Sequence, residues 1–364
     1  MPDVSAQSTP AAEHPETGLL AAYTTLRLGG APRRLIVAEN SQQIVQTIRE
    51  AETLGQPVLI LAGGSNVVVG DEGFPGTVVL IRSRGVRVVA EDDRTVTVRV
   101  EAGEPWDDLV AETVRAGWAG LECLSGIPGS AGATPIQNVG AYGQEVAETV
   151  TGVEVHDRLT DEVVRMPAEE CRFAYRSSVF KHNDRWTVLS VDFRLERSPL
   201  STPIRYAELA RALGVEVGER VPLAEARAAV LRLRAGKGMV LDPADRDTCS
   251  VGSFFTNPVL DAAAYAALLE RAQAAGLGEP PSWPGTGGTV KVSAAWLIDR
   301  AGFGKGHQGA DGVAISSKHT LALTNQGGAS TVALLELARQ IRDGVRQRFG
   351  VTLHPEPVLV GCQI

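Results

Sequence analysis

The sequence predicts an α+β fold made of several domains. Apolar residues at helical spacing alternate along the chain with short runs rich in β-branched residues. Strand-like runs stand on both sides of one long glycine-rich stretch, residues 120–143. The chain has 364 residues, enough for about two or three domains, and its composition of 44% hydrophobic and 21% charged residues is ordinary for a globular protein.

The helices are predicted from caps and apolar stripes. Asn40 or Ser41 caps the first helix, and Gly55 stops it. Glu104-Pro105 opens the second, which ends near Gly117. By the same signals, the predicted helices span residues 41–54, 104–117, 223–235, 261–275, 293–301 and 330–349.

The strands are predicted from alternation and from short apolar runs. Val96, Val98 and Val100 alternate with polar residues, as on a strand with one buried face. Further strands are predicted at 58–61, 150–156, 162–166 and 188–195, with strand-like stretches at 78–102 and 351–360.

These elements predict a division into domains. A polar, proline-bearing break at 198–203 follows the sheet-rich part of the chain. The expected boundaries are 1–18 for a disordered tail, 19–82 for a small α/β unit, 83–245 for a sheet-rich unit that 351–364 rejoins, and 246–350 for a third unit.

Charge and cysteine content exclude several classes of function. The net charge of −8 argues against a general binder of nucleic acid or of anionic membranes. The four cysteines are widely spaced, which argues against a zinc site and a disulfide scaffold. No apolar run of about 18 residues predicts a membrane span, and the N-terminus does not resemble a signal peptide. A cytoplasmic protein without a bound metal is expected.

Two glycine-rich stretches are the candidate cofactor site. Five glycines fall between Gly126 and Gly143, where bare backbone lets a ligand approach the main chain closely. An earlier turn, residues 62–66, lies between two apolar runs. Neither stretch has the G-x-G-x-x-G pattern of a Rossmann dinucleotide site. Taken alone, each also fits an ordinary glycine-rich loop.

Three further motifs are ambiguous when taken one at a time. Tyr175-Arg176 fits a carboxylate-binding arginine or a surface arginine beside a core tyrosine, with the two side chains on opposite faces if they lie on a strand. Ser253, ahead of two phenylalanines, fits a proton donor or a turn serine. Glu356, bracketed by prolines, fits a rigidly held carboxylate or a solvated turn residue. His307 lies in a polar glycine loop and is interpreted as noncatalytic.

Together, from about residue 24 to 360, these motifs resemble the UDP-N-acetylenolpyruvoylglucosamine reductase family. The resemblance implies a two-part FAD-binding region of the vanillyl-alcohol-oxidase/PCMH type followed by a C-terminal α/β substrate-binding domain. It implies that Arg176, Ser253 and Glu356 are catalytic. The residues it assigns to FAD are Ala62, Gly63, Gly64, Ser65, Asn66, Pro128, Gly129, Ser130, Gly132, Ala133, Gln137, Asn138, Gly140 and Ala141.

The same resemblance implies a substrate and a mechanism. Tyr175, the covering residue Tyr206 of the longer family form, and the diphosphate-region residues Lys237, Asn257 and Gln308 would bind UDP-N-acetylglucosamine enolpyruvate. Non-covalent FAD, reduced by NADPH, would deliver a hydride, and Ser253 would supply the proton. The enzyme is expected to be a monomer that acts in peptidoglycan precursor synthesis.

Two other functions stay open at this point. One is an FAD-dependent oxidase of sugars or alcohols from the same superfamily. Many such oxidases attach FAD through histidine or cysteine, and no histidine lies between His14 and His156, although Cys123 is nearby. The other is a nucleotide-sugar binding module without redox chemistry, which would carry no flavin.

Overall fold

The structure, a computed structural model, describes residues 18–364. The disordered tail expected at residues 1–18 lies outside the described residues, except for Gly18. A short 3₁₀ turn, Leu20–Tyr23, opens the described chain, and an extended segment follows it.

The first unit is a small parallel α/β layer. Its sheet has the strand order β1 (Pro32–Ala38), β4 (Phe74–Ile81), β2 (Val58–Leu61). The apolar face of α1 (Ser41–Thr53) packs beside the sheet, with Ile44 and Ile48 fully buried. The Asn40 side chain accepts a hydrogen bond from the Gln43 N–H and caps α1 as predicted. The elements are β1 Pro32–Ala38, α1 Ser41–Thr53, β2 Val58–Leu61, β3 Val67–Val69 and β4 Phe74–Ile81.

The second unit is an antiparallel sheet with the strand order β11 (Glu162–Pro167), β10 (Val150–Asp157), β12 (Trp186–Arg197), β6 (Thr95–Glu101), β5 (Val86–Glu91). Val96, Val98 and Val100 of β6 are fully buried and alternate with half-buried residues, as the sequence predicts. The elements are β5 Val86–Glu91, β6 Thr95–Glu101, α2 Trp106–Ala116, β7 Trp118–Ala119, β8 Gly140–Ala141, β9 Gln144–Glu145, β10 Val150–Asp157, β11 Glu162–Pro167 and β12 Trp186–Arg197.

The glycine-rich stretch is held between this sheet and α2. The buried indole N–H of Trp106 donates to the Leu124 carbonyl at 3.0 Å. Asp107, in the first turn of α2, accepts from the Gly126 N–H at 2.5 Å. The stretch is therefore fixed backbone and not a loose surface loop.

Two helices after β12 form a small cluster of their own. They are α3 Ala207–Leu213 and α4 Leu223–Gly236. Leu209 and Ala210 of α3 pack on Ala226 and Val230 of α4, with Cys123 of the glycine-rich stretch in the same cluster. Arg227 of α4 forms a two-pronged ion pair with Asp107, which ties the cluster to α2.

The third unit packs small sheets around the long helix α7. Its core includes Leu26, Leu28 and Val68, which come from the start of the chain and from β3. The elements are β13 Ser250–Ser253, β14 Val259–Leu260, α5 Ala262–Ala274, β15 Ser282–Pro284, β16 Val290–Val292, α6 Ala294–Arg300, β17 Val313–Ile315, β18 Ala322–Asn325 and α7 Thr331–Phe349. The strand β19, Val358–Val360, follows this unit.

The last strand corrects one prediction. The sequence predicts that residues 351–364 rejoin the second unit, but β19 pairs in parallel with β3 of the first unit, Val358 opposite Val67. A three-residue apolar strand carries no local signal that specifies its partner, so the sequence could not identify it. The six predicted helices and the predicted strands 58–61, 150–156, 162–166 and 188–195 are confirmed to within a few residues at their ends.

Candidate active site

Two adjoining cavities lie where the three units meet. Their volumes are about 340 Å³ and 770 Å³, which lie within the range of about 300–1,000 Å³ common for small-molecule sites. Residues from both glycine stretches form the wall between them. The residues that line both cavities are Ala62, Gly63, Gly129, Ser130, Leu241 and Thr248.

The two glycine stretches, far apart in sequence, touch each other in this wall. A Cβ on Gly63 would lie 2.6 Å from the Gly129 Cα, closer than real side chains approach. The Ser65 hydroxyl donates to the Pro128 carbonyl at 2.9 Å across the same contact. Glycine at both positions is therefore a packing requirement that brings bare backbone to the edge of the cavities.

Two buried donors in the cavity walls have no partner in the part of the chain that the structure describes. They are the Ser130 hydroxyl, at the junction of the cavities, and Nε of Arg234 in the smaller cavity. Buried polar groups are normally hydrogen-bonded, and a bound ligand supplies the partner when the protein does not. Both residues belong to the cavity lining, and a hydroxyl and a guanidinium in such a wall favour a ligand with anionic oxygens.

Arg176 and Glu356 face the smaller cavity and contact each other. Nε of Arg176 lies 3.4 Å from Oε1 of Glu356, and the Gln137 amide donates to the same oxygen at 3.4 Å. The Asn66 amide in turn donates to Oε1 of Gln137 at 2.7 Å. A chain of contacts thus runs from the first glycine turn, through the glycine-rich stretch, to the carboxylate near the C-terminus.

Arg176 lies on a tight turn and not on a strand. Its φ is 53°, and the turn is closed by backbone hydrogen bonds between Ala174 and Ser177. The guanidinium donates to the Gly140 carbonyl at 2.7 Å. The strand geometry considered from the sequence for Tyr175-Arg176 is therefore wrong, since a left-handed turn reorients both side chains.

Ser253 ends β13, beside the segment that carries Glu356. Both residues line the smaller cavity, and the Glu356 N–H donates to the Phe254 carbonyl at 2.9 Å. Phe254 and Phe255 are almost completely buried behind the serine. A hydroxyl and a carboxyl therefore share one wall against an apolar backing.

Burial favours the neutral form of the Glu356 carboxyl. Burial raises the pKa of Glu356, and the positive charges of Arg176 and Lys181 oppose the shift. Burial also favours the neutral form of Lys181 and so lowers its pKa. The Lys181 ammonium donates to the Arg176 carbonyl at 3.1 Å. The protonated form of Glu356 thus persists to higher pH than in an exposed glutamate.

A second group of cations lies near the end of α4. Burial, together with the charges of Lys237, Lys305 and Arg234, lowers the pKa of His319 to about 4. The imidazole is therefore neutral at neutral pH. The Lys237 ammonium is paired with Glu208 at 2.6 Å, which leaves an excess of positive charge in the group.

Comparison with known proteins assigns the family. A model of the UDP-N-acetylenolpyruvoylglucosamine reductase C-terminal domain matches residues 242–360, and a model of an FAD binding domain matches residues 32–166. A UDP-N-acetylenolpyruvoylglucosamine reductase of Salinispora arenicola is 70% identical over 96% of this chain and 97% of its own length. The chain belongs to the UDP-N-acetylenolpyruvoylglucosamine reductase family.

Other members of the family agree with this assignment. A reductase of Saccharopolyspora erythraea is 57% identical over 95% of both chains. The crystal structure of a UDP-N-acetylenolpyruvylglucosamine reductase from Thermus caldophilus covers 94% of this chain and 97% of its own, at 27% identity and a TM-score of 0.64. The predicted fold class, a two-part FAD-binding region followed by a C-terminal substrate domain, is confirmed.

Most residues assigned to FAD from the family resemblance line the smaller cavity. Gly132 and Asn138 do not. Gly132 lies against Ala102, where a Cβ would come within 2.5 Å, and the Asn138 amide is used internally by Glu145 and Ala147. Ala141 lies in β8, also outside the lining. Those in the lining are Ala62, Gly63, Gly64, Ser65, Asn66, Pro128, Gly129, Ser130, Ala133, Gln137 and Gly140.

Of the five residues assigned to the substrate, Tyr175 and Asn257 are brought together outside the lining. Burial raises the pKa of Tyr175, and hydrogen bonding to Asn257 opposes the shift. The Lys291 ammonium lies 4.6 Å from the Tyr175 ring centroid and 5.7 Å from that of Trp283. Lys291 and Trp283 were not predicted, because only the fold brings β15 and β16 opposite Tyr175.

The remaining three substrate residues are spread around the cation group. Tyr206 packs edge-on against Tyr142, with ring centroids 5.6 Å apart, and Lys237 lies 5.6 Å from the Tyr142 centroid. Gln308 is exposed and donates to the Gly306 carbonyl. Arg234, also missed from the sequence, sits one helical turn before Lys237 on α4, a spacing that would have been the available signal.

The described residues contain no group of three or more histidine, cysteine, aspartate or glutamate side chains placed to hold a metal ion. Within residues 18–364, no helix combines the length and the apolar character that crossing a membrane requires.

Proposed function

We propose that this chain reduces the enolpyruvyl double bond of UDP-N-acetylglucosamine enolpyruvate to give UDP-N-acetylmuramate, a step of peptidoglycan precursor synthesis. FAD is the bound cofactor and NADPH the source of electrons. One observation carries the proposal. Arg176, Ser253 and Glu356, from three distant parts of the chain, line one cavity together with both glycine stretches.

The residues present fit FAD. The diphosphate of the cofactor would lie at the wall between the cavities, where Gly63, Gly129 and the Ser130 hydroxyl meet. Asn66 and Gln137 would hold the flavin end in the smaller cavity. When bound, FAD takes a hydride from NADPH and supplies it to the substrate.

The side chains around the flavin end handle the charge and the proton. The hydride adds to the terminal enolpyruvyl carbon, and the electron pair of the double bond moves to the next carbon and its carboxylate. Arg176 and protonated Glu356 stabilise that developing negative charge. The Ser253 hydroxyl then protonates the carbon, which completes the lactyl ether with one hydride and one proton added.

The cation group would bind the diphosphate of the nucleotide sugar. Lys237 is our candidate for the direct contact, and Tyr206 would close over it, while Tyr175, Asn257 and Gln308 would line the approach. The excess positive charge of Arg234 and Lys305 beside them supports this placement. NADPH would use the same site in turn, since the sequence has no Rossmann fingerprint.

The test is an anaerobic spectrum of the purified protein, with NADPH added first and the enolpyruvyl nucleotide second. We expect the flavin absorbance to bleach with NADPH and to recover with the substrate. In Ser253→Ala, bleaching should be nearly unchanged and recovery slower by about 10²–10⁴-fold. Equal slowing of both steps would remove Ser253 from the role of proton donor.

The same experiment separates the other functions. Recovery only on admission of air would indicate an oxidase, and a protein that binds no flavin even when FAD is added would indicate a binding module. Cys249 lines the larger cavity, so a covalent link to the flavin has to be tested. A non-covalent cofactor should be recovered in the supernatant after acid precipitation.

We also propose that the protein acts in the cytoplasm as a monomer. Its four cysteines, all within the described residues, are free thiols, which supports a reducing compartment. Size-exclusion chromatography with light scattering measures the oligomeric state directly.

A further inference from the structure

We infer that Thr25 is a positioning residue that sets the distance between the flavin and the proton donor. The inference rests on the proposed function, because it concerns the hydride and proton steps at that site. Thr25 is not in the wall with Ser253. It lines the larger cavity and acts through the backbone of two elements that bear site residues.

Thr25 connects the first glycine turn with the strand that carries Ser253. Its hydroxyl donates to the Ser250 carbonyl at 2.6 Å, and its N–H donates to the Gly64 carbonyl at 3.1 Å. Gly64 has no space to shift toward this segment, since a Cβ there would lie 2.0 Å from the Tyr23 carbonyl oxygen. One residue therefore holds the cofactor turn and β13 at a fixed separation.

The strand needs such an anchor because its own ladder is irregular. β13 begins at Ser250 and ends at Ser253, and its register with β18 shifts between these two residues. Gly252, with φ of 75°, produces the bend just before the serine. Neighbouring strand pairing fixes Ser253 less strictly than in a regular sheet, so the contact at Ser250 gains importance.

The segment that carries Thr25 is itself held firmly. Leu26 and Leu28, on either side of an exposed arginine, are buried in the core of the third unit. The Asn325 amide donates to the Leu26 carbonyl at 3.1 Å. The Thr25 hydroxyl is therefore attached to fixed backbone, so its hydrogen bond to the Ser250 carbonyl costs little conformational entropy.

On the far side of the site, two backbone hydrogen bonds add to the side-chain contacts of Gln137 and Arg176 with Glu356. The Glu356 N–H donates to the Phe254 carbonyl at 2.9 Å, and the Val358 N–H donates to the Asn66 carbonyl at 3.0 Å. With the Thr25 contacts, these bonds form a frame around the cavity that joins the turn, β13 and the C-terminal segment. The Thr25 hydroxyl is the link in this frame that a substitution can remove.

The experiment compares Thr25→Val, which keeps the shape and removes the hydroxyl, with Thr25→Ser, which keeps the hydroxyl. Anaerobic stopped-flow measures flavin reduction by NADPH and reoxidation by the enolpyruvyl nucleotide separately. In Thr25→Val we expect reoxidation to slow by about tenfold or more, and reduction to change by less than about twofold. Thr25→Ser should restore reoxidation to near the original rate.

Thr331→Val is the matched control. The Thr331 hydroxyl also links the third and first units, but its hydrogen bond goes to the Val69 carbonyl of β3, at 2.7 Å, and not to β13 or to the segment that bears Glu356. This variant should lose stability without changing the ratio of the two rates.

The outcomes separate the inference from the proposed function. If Thr25→Val and Thr25→Ser behave alike, or if both steps slow together, Thr25 has only a structural role. Loss of FAD without selective slowing would make Thr25 a cofactor contact, which also overturns the inference. If the unmodified protein is not reoxidised by the enolpyruvyl nucleotide, the proposed function fails instead.

Discussion

At the scale of single residues, the proposed chemistry depends on the Glu356 carboxyl, whose protonated form is favoured by burial. Glu356 lies against Arg176 and Gln137, and burial raises its pKa despite two cations nearby. A neutral carboxyl can donate a hydrogen bond to the developing carboxylate charge, whereas an ionised one would repel it. In the proposed mechanism, the desolvation of this one side chain therefore contributes to the chemistry.

This state predicts a pH dependence. Glu356 loses its proton as the pH rises through its raised pKa, so reoxidation by the substrate should be constant below that pKa and fall above it. Glu356→Gln keeps a neutral donor at every pH and should flatten this alkaline limb, at a lower rate on the plateau. Stopped-flow reoxidation, followed from mildly acidic to mildly alkaline pH, is the measurement.

The reduction step by NADPH provides the internal control, because the proposed role of Glu356 lies in the substrate step. An alkaline limb that persists unchanged in Glu356→Gln would assign the titration to another group. Lys181, whose pKa burial lowers, would be the next residue to examine.

The sequence allows the proposed reactive residues to be named but not their neighbours. Arg176, Ser253 and Glu356 stand in motifs with recognisable spacing. Lys181 stands in no such motif, and it reaches the site only because the fold places it beside Arg176 and Glu356. Arg234 has only its helical spacing to Lys237 as a signal. Side-chain contacts across long sequence separations are a property of the fold, which periodicity does not contain.

At the scale of elements, the conformation of the first glycine turn leaves little room for a side chain. Gly64 has φ of 58° and abuts Tyr23 and Thr24. Gly55, just after the C-cap of α1, has nearly the same φ of 63°, and a Cβ added there would have nothing within 4 Å. A comparison of Gly64 with Gly55 therefore separates the cost of a side chain on left-handed backbone from the cost of its overlap with neighbouring atoms.

Gly64→Ala should therefore cost about 2–5 kcal/mol, from the left-handed backbone and the overlap together. Gly55→Ala should cost about 1–2 kcal/mol, from the backbone alone. Urea unfolding of the FAD-free proteins measures both, and FAD fluorescence titration measures cofactor affinity. Gly64→Ala should lose most of its FAD affinity, and FAD binding as tight as in Gly55→Ala would place the cofactor away from this turn.

Elements with local signals are the ones that sequence analysis located. Helices α1 and α2 carry caps and stops at the predicted positions, and β6 carries a clean alternation. β19 carries only three apolar residues, and it pairs with β3 of the first unit and not with the second unit as predicted, because pairing is decided by packing far from the strand itself.

At the scale of the whole molecule, the units share their cores. Leu26 belongs to the segment before the first sheet, yet it is fully buried among the residues of the third unit. Thr331 and Asp71 add a hydrogen bond between α7 and the first unit. Stability and cofactor binding should therefore be properties of the chain as one body.

Leu26→Ala should lower the free energy of unfolding by about 2–5 kcal/mol. Circular dichroism and FAD release should report the same lowered transition temperature, since both depend on the shared core. Leu54→Ala, at a side chain 63% exposed, should change stability by less than about 0.5 kcal/mol. Two transitions in Leu26→Ala, with FAD released at the original temperature, would show that the units unfold independently.

The pairing of β3 with β19 has a consequence for biosynthesis. Residues 67–69 are made long before their partner strand, residues 358–360. Until then the first unit has an unpaired strand edge, and the cavity lacks Glu356 and Val358. We therefore expect flavin to bind only after this strand has been made, and a chain that stops before residue 356 should bind FAD poorly.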